Sequence, residues 1–274
     1  MRIKKACVVI PMYTLQLSLF ESISLQQAFA ILAQHDIFFV IPEHLQDNFE
    51  TFEYVADGRA SSVTFDSAFF ENIDGYNRLL KYPGFYRAFA GYEFMLIHQL
   101  DAFVFRDELL AWCQKGYDHV GAPLFQGHEK ATASGELVGQ GNGGFCLKNI
   151  KACYEVVSKF KKLRFTRLFE TKAPNFFIAV LRYVKHQMLY IYSRYPLQPI
   201  INEDLFWAEV VPENFPGFKV PSPQEAMKFS FEINPEILLA INNDQLPFGC
   251  HAWWKYNLPF WREYINNFGY NISL

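Results

Sequence analysis

Three features that would assign a chain to a whole class of proteins are missing from this sequence. The first is a set of paired cysteines, since the 274 residues contain five cysteines and no C-x-x-C pair. These are Cys7, Cys113, Cys146, Cys153 and Cys250. An odd and scattered set makes a poor disulfide framework and a poor zinc site, so we expect the reducing environment of the cytoplasm.

Long apolar runs are also missing. No uninterrupted stretch approaches the roughly 20 residues that a membrane-spanning helix needs. The apolar residues 6–10 follow Arg2, Lys4 and Lys5, as in a signal peptide, but Pro11 ends the run and no small-residue cleavage site follows. We therefore interpret these residues as a first β-strand and expect a chain that does not cross a membrane.

The third missing feature is an excess of charge. Lys and Arg number 25 against 28 Asp and Glu, a net charge of -3, which argues against nucleic acid as the main partner. Hydrophobic residues make up 51% of the chain, and 29 Phe bring the aromatic content to 18%. A chain of this length buries roughly three quarters of its unfolded surface, so we expect one folded domain over residues 1–274.

Short apolar runs alternate with helical patterns. Buried strands are predicted at 6–10, 37–41, 63–65, 94–97 and 118–122. Helices are predicted from the capping box at Ser18 and Glu21 to about Gln34, and at 79–89, 107–115 and 151–159, with a polar loop at 127–139. This alternation predicts an α/β domain with a mainly parallel sheet flanked by helices.

Residues 159–195 differ from the rest of the chain in charge. They contain nine Lys and Arg against one Glu, together with nine Phe and Tyr. A basic and aromatic helical segment suits an anionic lipid headgroup layer, where aromatic rings lie at the interface and cations contact phosphates. The alternative is a helical insertion whose rings pack on the domain and whose cations are solvated.

One carboxylate follows the predicted strand at 94–97. Asp101 lies where ligands of open α/β sheets bind, at the carboxyl end of the strands. A divalent cation bound with a diphosphate needs only one or two protein carboxylates, because phosphates and waters supply the other ligands. The alternative is that Asp101 caps a turn before Arg106.

Two later motifs carry further candidate groups. Glu203 and Asp204 are adjacent, so on a helix they point about 100° apart and one of them is a candidate general base; alternatively, both stabilise a solvated helix N-terminus. His251 follows a glycine turn among aromatics and is a candidate metal ligand through its neutral imidazole, or else a hydrogen-bonded, partly buried histidine. His98 is close enough to Asp101 to be of interest.

The order of these motifs resembles a GT-A-fold glycosyltransferase. The motifs are the strand ending at Pro11, Tyr-Asn-Arg-Leu-Leu at 76–80, Gln-Leu-Asp at 99–101, Gly-Asn-Gly-Gly-Phe at 141–145, Asn-Glu-Asp at 202–204 and Phe-Gly-Cys-His at 248–251. The sequence is most similar to a largely bacterial family known mainly as a domain of unknown function. The similarity covers nearly the whole chain and is weakest at 159–195.

The resemblance implies a role for each motif. It implies a nucleotide-binding half at 1–106 and an acceptor and catalytic half at 107–158 and 196–274. It also implies a Mn²⁺ or Mg²⁺ ion held by Asp101 and His251. The sequence departs from the family's metal-binding motif at Gln99, where the motif has its first Asp. The expected nucleotide-sugar contacts are Pro11, Tyr13, Thr14, Asn77, Arg78, Gln99 and Asp101. The expected sugar and acceptor pocket is formed by Asn142, Gly143, Gly144, Phe145 and Trp253. In the acidic pair Glu203 and Asp204, the second acid is the expected base.

The function implied is transfer of a sugar from a nucleotide sugar to a hydroxyl of a cell-surface polysaccharide or lipid-linked glycan, with inversion. The enzyme would work in the cytoplasm, with 159–195 docked on the inner membrane. The alternative is a catalytically silent nucleotide-sugar or glycan-binding module on the same fold. A nucleotidyltransferase is disfavoured because no glycine-rich, lysine-bearing phosphate loop follows the first strand.

Overall fold

The structure is a computed structural model that describes residues 3–127, 136–159 and 202–273, with positions 176–178, 180, 181 and 184 between them. The strands are β1 (Lys4–Pro11), β2 (Asp36–Pro42), β3 (Ser61–Phe65), β4 (Tyr92–His98), β5 (Phe103–Val104), β6 (His119–Val120), β7 (Pro123–Phe125), β8 (Leu137–Gln140), β9 (Phe145–Asn149), β10 (Ser230–Phe231) and β11 (Gly249–Cys250). No helix in these ranges is long and apolar enough to span a bilayer.

The helices lie mostly between the strands. They are α1 (Leu19–Ile31), α2 (Gln46–Glu50), α3 (Glu53–Ala56), α4 (Ile73–Leu79), α5 (Pro83–Ala88), α6 (Leu109–Gln114), α7 (Ile150–Lys159), α8 (Glu203–Leu205), α9 (Val211–Asn214), α10 (Pro223–Phe229), α11 (Pro235–Ile241) and α12 (Leu258–Asn266). A π-helical turn, Phe206–Val210, joins α8 to α9. The expected capping box opens α1, since the Ser18 side chain accepts from the Glu21 N–H and Glu21 accepts from the Ser18 N–H.

A six-stranded sheet in the order β3-β2-β1-β4-β9-β6 forms the centre of the molecule. Its first four strands are parallel, and β9 runs antiparallel between β4 and β6. The predicted α/β class with a mainly parallel sheet is therefore confirmed. The carboxyl ends of β1 and β4 lie side by side, because these two strands pair directly.

Both faces of this sheet are covered. Alternate residues of β1 point to opposite faces, so that Val8 and Ile10 pack with α1 whereas Cys7 and Val9 pack with α5 and α7. This explains why the strands appear in the sequence as continuous apolar runs.

A second, three-stranded sheet of β10, β11 and β5 lies beside the first. β11 pairs in parallel with β10 and antiparallel with β5, with Cys250 opposite both Phe231 and Phe103. A cluster of aromatic residues that includes Trp253 and Trp261 packs around this sheet. Glu232, His251 and Asp101 lie just beyond these pairs, so the register of the small sheet brings their backbones close together.

Two predicted elements are wrong in detail. Of the helix expected at 79–89, only Leu79 belongs to α4 (Ile73–Leu79), and the rest of the helical part is α5, which Pro83 begins instead of interrupting. Proline suits the first helical position and holds the preceding residue, Tyr82, in an extended conformation. The loop expected at 127–139 lies partly outside the described residues, and its end forms β8, which pairs with β7.

Candidate active site

A cavity of about 540 Å³ opens at the carboxyl ends of β1 and β4. Its walls are mainly apolar and aromatic, and they include Tyr13, Phe70, Tyr76 and Trp254. The three acids that line it are Glu21, Glu71 and Asp101, and no Lys or Arg belongs to the described lining. An anionic ligand would therefore need a cation to accompany it.

Asp101 and Gln99, which line the cavity, both contact His251, which is not part of its described lining. The His251 Nε2 lies 3.1 Å from the Asp101 Oδ1 and 3.3 Å from the Gln99 Oε1. These groups converge because β5 follows Asp101 closely and pairs with β11, which ends just before His251. The structure thus places Asp101 and His251 in contact, and their expected role as ligands of one metal ion stays a prediction.

The other ring nitrogen of His251 has two neighbours. The Nδ1 lies 2.9 Å from the Glu232 Oε1 and 2.9 Å from the Asn142 Nδ2. The backbone fixes the orientation of the Asn142 amide, since its Oδ1 accepts from the N–H groups of Gly144 at 2.6 Å and Phe145 at 3.0 Å. Its Nδ2 is therefore the atom that faces the imidazole.

The two carboxylates control the charge of His251. Burial disfavours the imidazolium, but Asp101 and then Glu232 outweigh it and raise the pKa of His251 to about 10. Burial also acts to raise the pKa of Asp101, and the adjacent His251 holds it below its usual value. Nearby His98 behaves oppositely, because burial lowers its pKa to about 4 and keeps it neutral.

The donor set fits a divalent cation. Neighbouring ligands of an ion bound at about 2.1 Å are roughly 3 Å apart in octahedral geometry, close to the separations around the His251 Nε2. No three His, Cys, Asp or Glu side chains in the described part of the chain form a metal-binding group. Asp101, His251 and the neutral Gln99 would therefore leave several positions for water or phosphate oxygens.

The glycine turn at 143 and 144 lies against two charged side chains. A Cβ atom on Gly144 would lie 1.9 Å from the His251 Nε2, and one on Gly143 would lie 2.7 Å from the Glu203 Oε2. Cβ atoms do not approach other heavy atoms this closely, so a side chain at Gly144 would displace the His251 ring and one at Gly143 would displace the Glu203 carboxylate. The turn thus brings His251 and the segment that begins at Glu203 close together.

Glu203 is committed to a buried ion pair. Its Oε1 lies 2.6 Å from the Lys148 Nζ on β9, and the two side chains are 3% and 0% exposed. Burial raises the pKa of Glu203, and Lys148 opposes this shift. The Lys148 ammonium also lies 4.7 Å from the centre of the Trp207 ring. Glu203 therefore has a structural contact, and the expectation that Asp204 is the base of the acidic pair stays a prediction.

Asp204 is the more accessible acid. It is partly buried, and its Oδ1 accepts a hydrogen bond of 2.8 Å from the Leu205 N–H at the start of α8. Buried Lys81 is close enough to be influenced by this acid, because burial lowers the pKa of Lys81 to about 8 while Glu203 and Asp204 act to raise it. Asp204 does not line the cavity as described.

The structure brings only some of the expected nucleotide contacts to the cavity. Pro11, Tyr13, Gln99 and Asp101 line it. The other three are occupied in backbone hydrogen bonds: Thr14 accepts from Gln16, Asn77 accepts from Glu203, and Arg78 donates to Ala68.

The expected sugar and acceptor pocket also needs correction. Asn142, Phe145 and Trp253 are buried, and the Trp253 indole N–H donates to the Ser24 hydroxyl at 3.0 Å. The next residue, Trp254, lines the cavity instead. Trp253 packs in the core against Phe20 and Phe103. The sequence of two adjacent tryptophans does not show which of them is buried.

Sequence reasoning missed Glu232 altogether. It is the residue after β10, and no motif surrounds it. Only the parallel register of β10 and β11, with Phe231 opposite Cys250, places Glu232 beside His251. The strand pairing, which joins residues far apart in the chain, is the only signal for it.

The architecture is that of GT-A glycosyltransferases. Mouse xyloside xylosyltransferase 1 in its apo form superposes with a TM-score of 0.50 over 90% of this chain and 97% of its own, at 10% identity. The galactosyltransferase LgtC, in complex with donor and acceptor sugar analogues, has a TM-score of 0.49 at 13% identity, over 89% of this chain and 86% of its own. The apo form of the glycosyltransferase GlyE of Streptococcus pneumoniae has a TM-score of 0.47 at 14% identity, over 97% of this chain and 63% of its own. At 10% identity, the similarity to the xylosyltransferase indicates a shared fold and does not indicate a shared substrate.

The chain belongs to a family of proteins of unknown function, DUF5672, whose sequence profile matches residues 59–251. The match includes Asp101, the glycine turn, the acids of α8 and His251. No curated protein matches the sequence significantly.

Proposed function

We propose that this protein is a glycosyltransferase that moves a sugar from a nucleotide-diphosphate sugar to an acceptor hydroxyl. The observation that carries the proposal is the apolar cavity at the carboxyl ends of β1 and β4, which Asp101 and Gln99 line and whose Asp101 and Gln99 side chains contact His251. Ligands of open α/β sheets bind at this edge. The GT-A fold supports the choice of donor.

The cavity offers different surfaces to the parts of such a donor. Tyr13 and Trp254 present aromatic faces suited to a nucleobase or the apolar face of a sugar. The diphosphate would lie beside Asp101, where the described lining is acidic. Mn²⁺ or Mg²⁺ held there by Asp101, His251 and Gln99 would neutralise the leaving diphosphate when bound.

Asp204 is the proposed base. Glu203 is tied to Lys148, whereas Asp204 is partly exposed at the start of α8, adjacent in sequence to a residue that contacts the glycine turn. Its carboxylate would accept the proton of the acceptor hydroxyl as that oxygen attacks the sugar carbon and the bond to the diphosphate breaks. One such displacement inverts the configuration at that carbon.

The proposed acceptor is a cell-surface polysaccharide or a lipid-linked glycan, reached from the cytoplasmic face of the inner membrane. Most of 159–195, the proposed docking segment, lies outside the described residues. Four described positions within it are exposed apolar side chains, namely Phe176, Phe177, Leu181 and Val184. Together with nine cations against one anion in the sequence, they support contact with an anionic bilayer.

The variant Asp204→Asn tests the proposal. Asparagine retains the oxygen that accepts from the Leu205 N–H but lacks a basic carboxylate, so the fold and donor affinity should persist. We expect sugar transfer to fall about 10²–10⁴-fold, the usual contribution of a general base. The measurements are calorimetric binding of a panel of nucleotide sugars and release of nucleoside diphosphate in the presence of candidate acceptors.

The distant, exposed Asp244→Asn variant is the matched control and should transfer sugar at the parent rate. Unchanged transfer by Asp204→Asn would remove the base assignment. Binding without any transfer by the parent would favour a silent nucleotide-sugar or glycan-binding module, and failure to bind any nucleotide sugar would overturn the proposal.

A further inference from the structure

We propose that Glu232 is a positioning residue that keeps a hydrogen on the His251 Nδ1, so that a divalent cation that displaces the Nε2 proton of the imidazolium is bound by the Nε2 beside Asp101. This inference rests on the proposed function in one respect, the divalent cation at Asp101. Its basis is the 2.9 Å contact between the Glu232 Oε1 and the His251 Nδ1, on the side of the ring away from Asp101. Glu232 and His251 are 16% and 14% exposed, so water competes little for this contact.

The need for Glu232 follows from a conflict at the Nδ1. The Asn142 Nδ2 also lies 2.9 Å away and can only donate, which favours an Nδ1 without hydrogen and hence a hydrogen on Nε2. A carboxylate can only accept, so Glu232 favours the hydrogen on Nδ1 and frees the Nε2 lone pair. A metal-binding histidine needs the second arrangement.

The backbone holds the pair in place. The His251 N–H donates to the Phe231 carbonyl oxygen at 2.9 Å, and Phe231 immediately precedes Glu232. Parallel pairing of β10 with β11 sets both side chains at equivalent positions beyond the strand ends. The contact is therefore built into the register of the small sheet instead of depending on a loop.

Two substitutions separate orientation from charge. Glu232→Gln and Glu232→Leu both remove the negative charge, but only glutamine retains an oxygen that can accept from the Nδ1–H. We expect Glu232→Leu to weaken Mn²⁺ binding about 10–100-fold, as loss of a ligand's hydrogen-bond partner commonly does, and Glu232→Gln to weaken it much less. Binding of Mn²⁺ alone is measured by electron paramagnetic resonance, with the exposed Glu263→Leu as control.

Nitrogen-15 NMR of the His251 ring at saturating Zn²⁺ gives a readout that a general loss of stability would not produce. We expect a protonated Nδ1 and a metal-bound Nε2 in the parent and in Glu232→Gln, and a protonated Nε2 in Glu232→Leu. Equal Mn²⁺ affinity in the glutamine and leucine variants, a metal-bound Nε2 in Glu232→Leu, or no Mn²⁺ binding by the parent would overturn the inference. None of these measurements uses a sugar donor, so failure of this inference can be distinguished from failure of the proposed sugar transfer.

Discussion

At the residue scale, the buried ion pair of Lys148 and Glu203 separates the two acids of α8 by their contacts. A buried ion pair contributes little net stability, but removal of one partner leaves an uncompensated charge in the core. Here both partners are almost completely buried, and the pair joins β9 to the start of α8. Asp204, which is partly buried and not part of this ion pair, is therefore the acid that we propose as the base.

We predict that Lys148→Met lowers the free energy of unfolding by about 3–5 kcal/mol, because Glu203 loses its cation in a buried site. The double variant Lys148→Met/Glu203→Leu should recover most of that loss, since neither charge remains. Urea denaturation measures both values. A single variant as stable as the parent, or a double variant less stable than the single, would contradict the structural role of the pair.

Single residues could be predicted from sequence where local chemistry singled them out. Asp101 follows a buried strand, His251 follows a glycine turn, and the geometry brings the two together. Glu232 and Trp254 could not be predicted, because strand register and core packing, which are properties of the folded chain, place them at the site.

At the scale of elements, the sequence predicts the long apolar strands well and the proline-containing and very short elements poorly. The apolar runs predicted β1, β2, β3 and β4 correctly, since strands buried on both faces have a plain signature. The helix expected at 79–89 was wrong because Pro83 was interpreted as an interruption, whereas it begins α5. The small sheet of β5, β10 and β11 has strands of two residues each, too short to leave a pattern.

The segment 159–195 is the proposed site of membrane contact. We predict that the protein floats with vesicles containing anionic lipid, and that Phe177→Ser/Leu181→Ser reduces this binding several-fold by removing two exposed apolar side chains. Raising the salt concentration should weaken binding as well. Flotation assays measure both effects.

The matched control replaces two exposed apolar residues outside the segment, Leu110→Ser/Ile241→Ser, which should float like the parent. Equal flotation of both double variants and the parent, or binding that is the same with neutral lipid, would remove the proposed contact with an anionic bilayer.

At the scale of the whole molecule, two sheets combine to make one site. The large parallel sheet supplies the edge where Asp101 lies, and the small sheet supplies His251 and Glu232. The glycine turn before β9 lies between His251 and the buried Glu203. The alternation of apolar runs with helical patterns predicted the α/β class. The union of the two sheets depends on the pairing of β5 with β11, which joins residues more than 100 positions apart.

The most direct measurement of the central claim is a crystal structure of the protein with Mn²⁺ and the nucleoside diphosphate that binds most tightly in the calorimetric panel. We predict that the diphosphate lies in the cavity beside Asp101, with Mn²⁺ bound by Asp101 and the His251 Nε2 and with the base or ribose against Tyr13 or Trp254. A diphosphate bound elsewhere on the protein, with Asp101 and His251 still paired as in the present structure, would contradict the account.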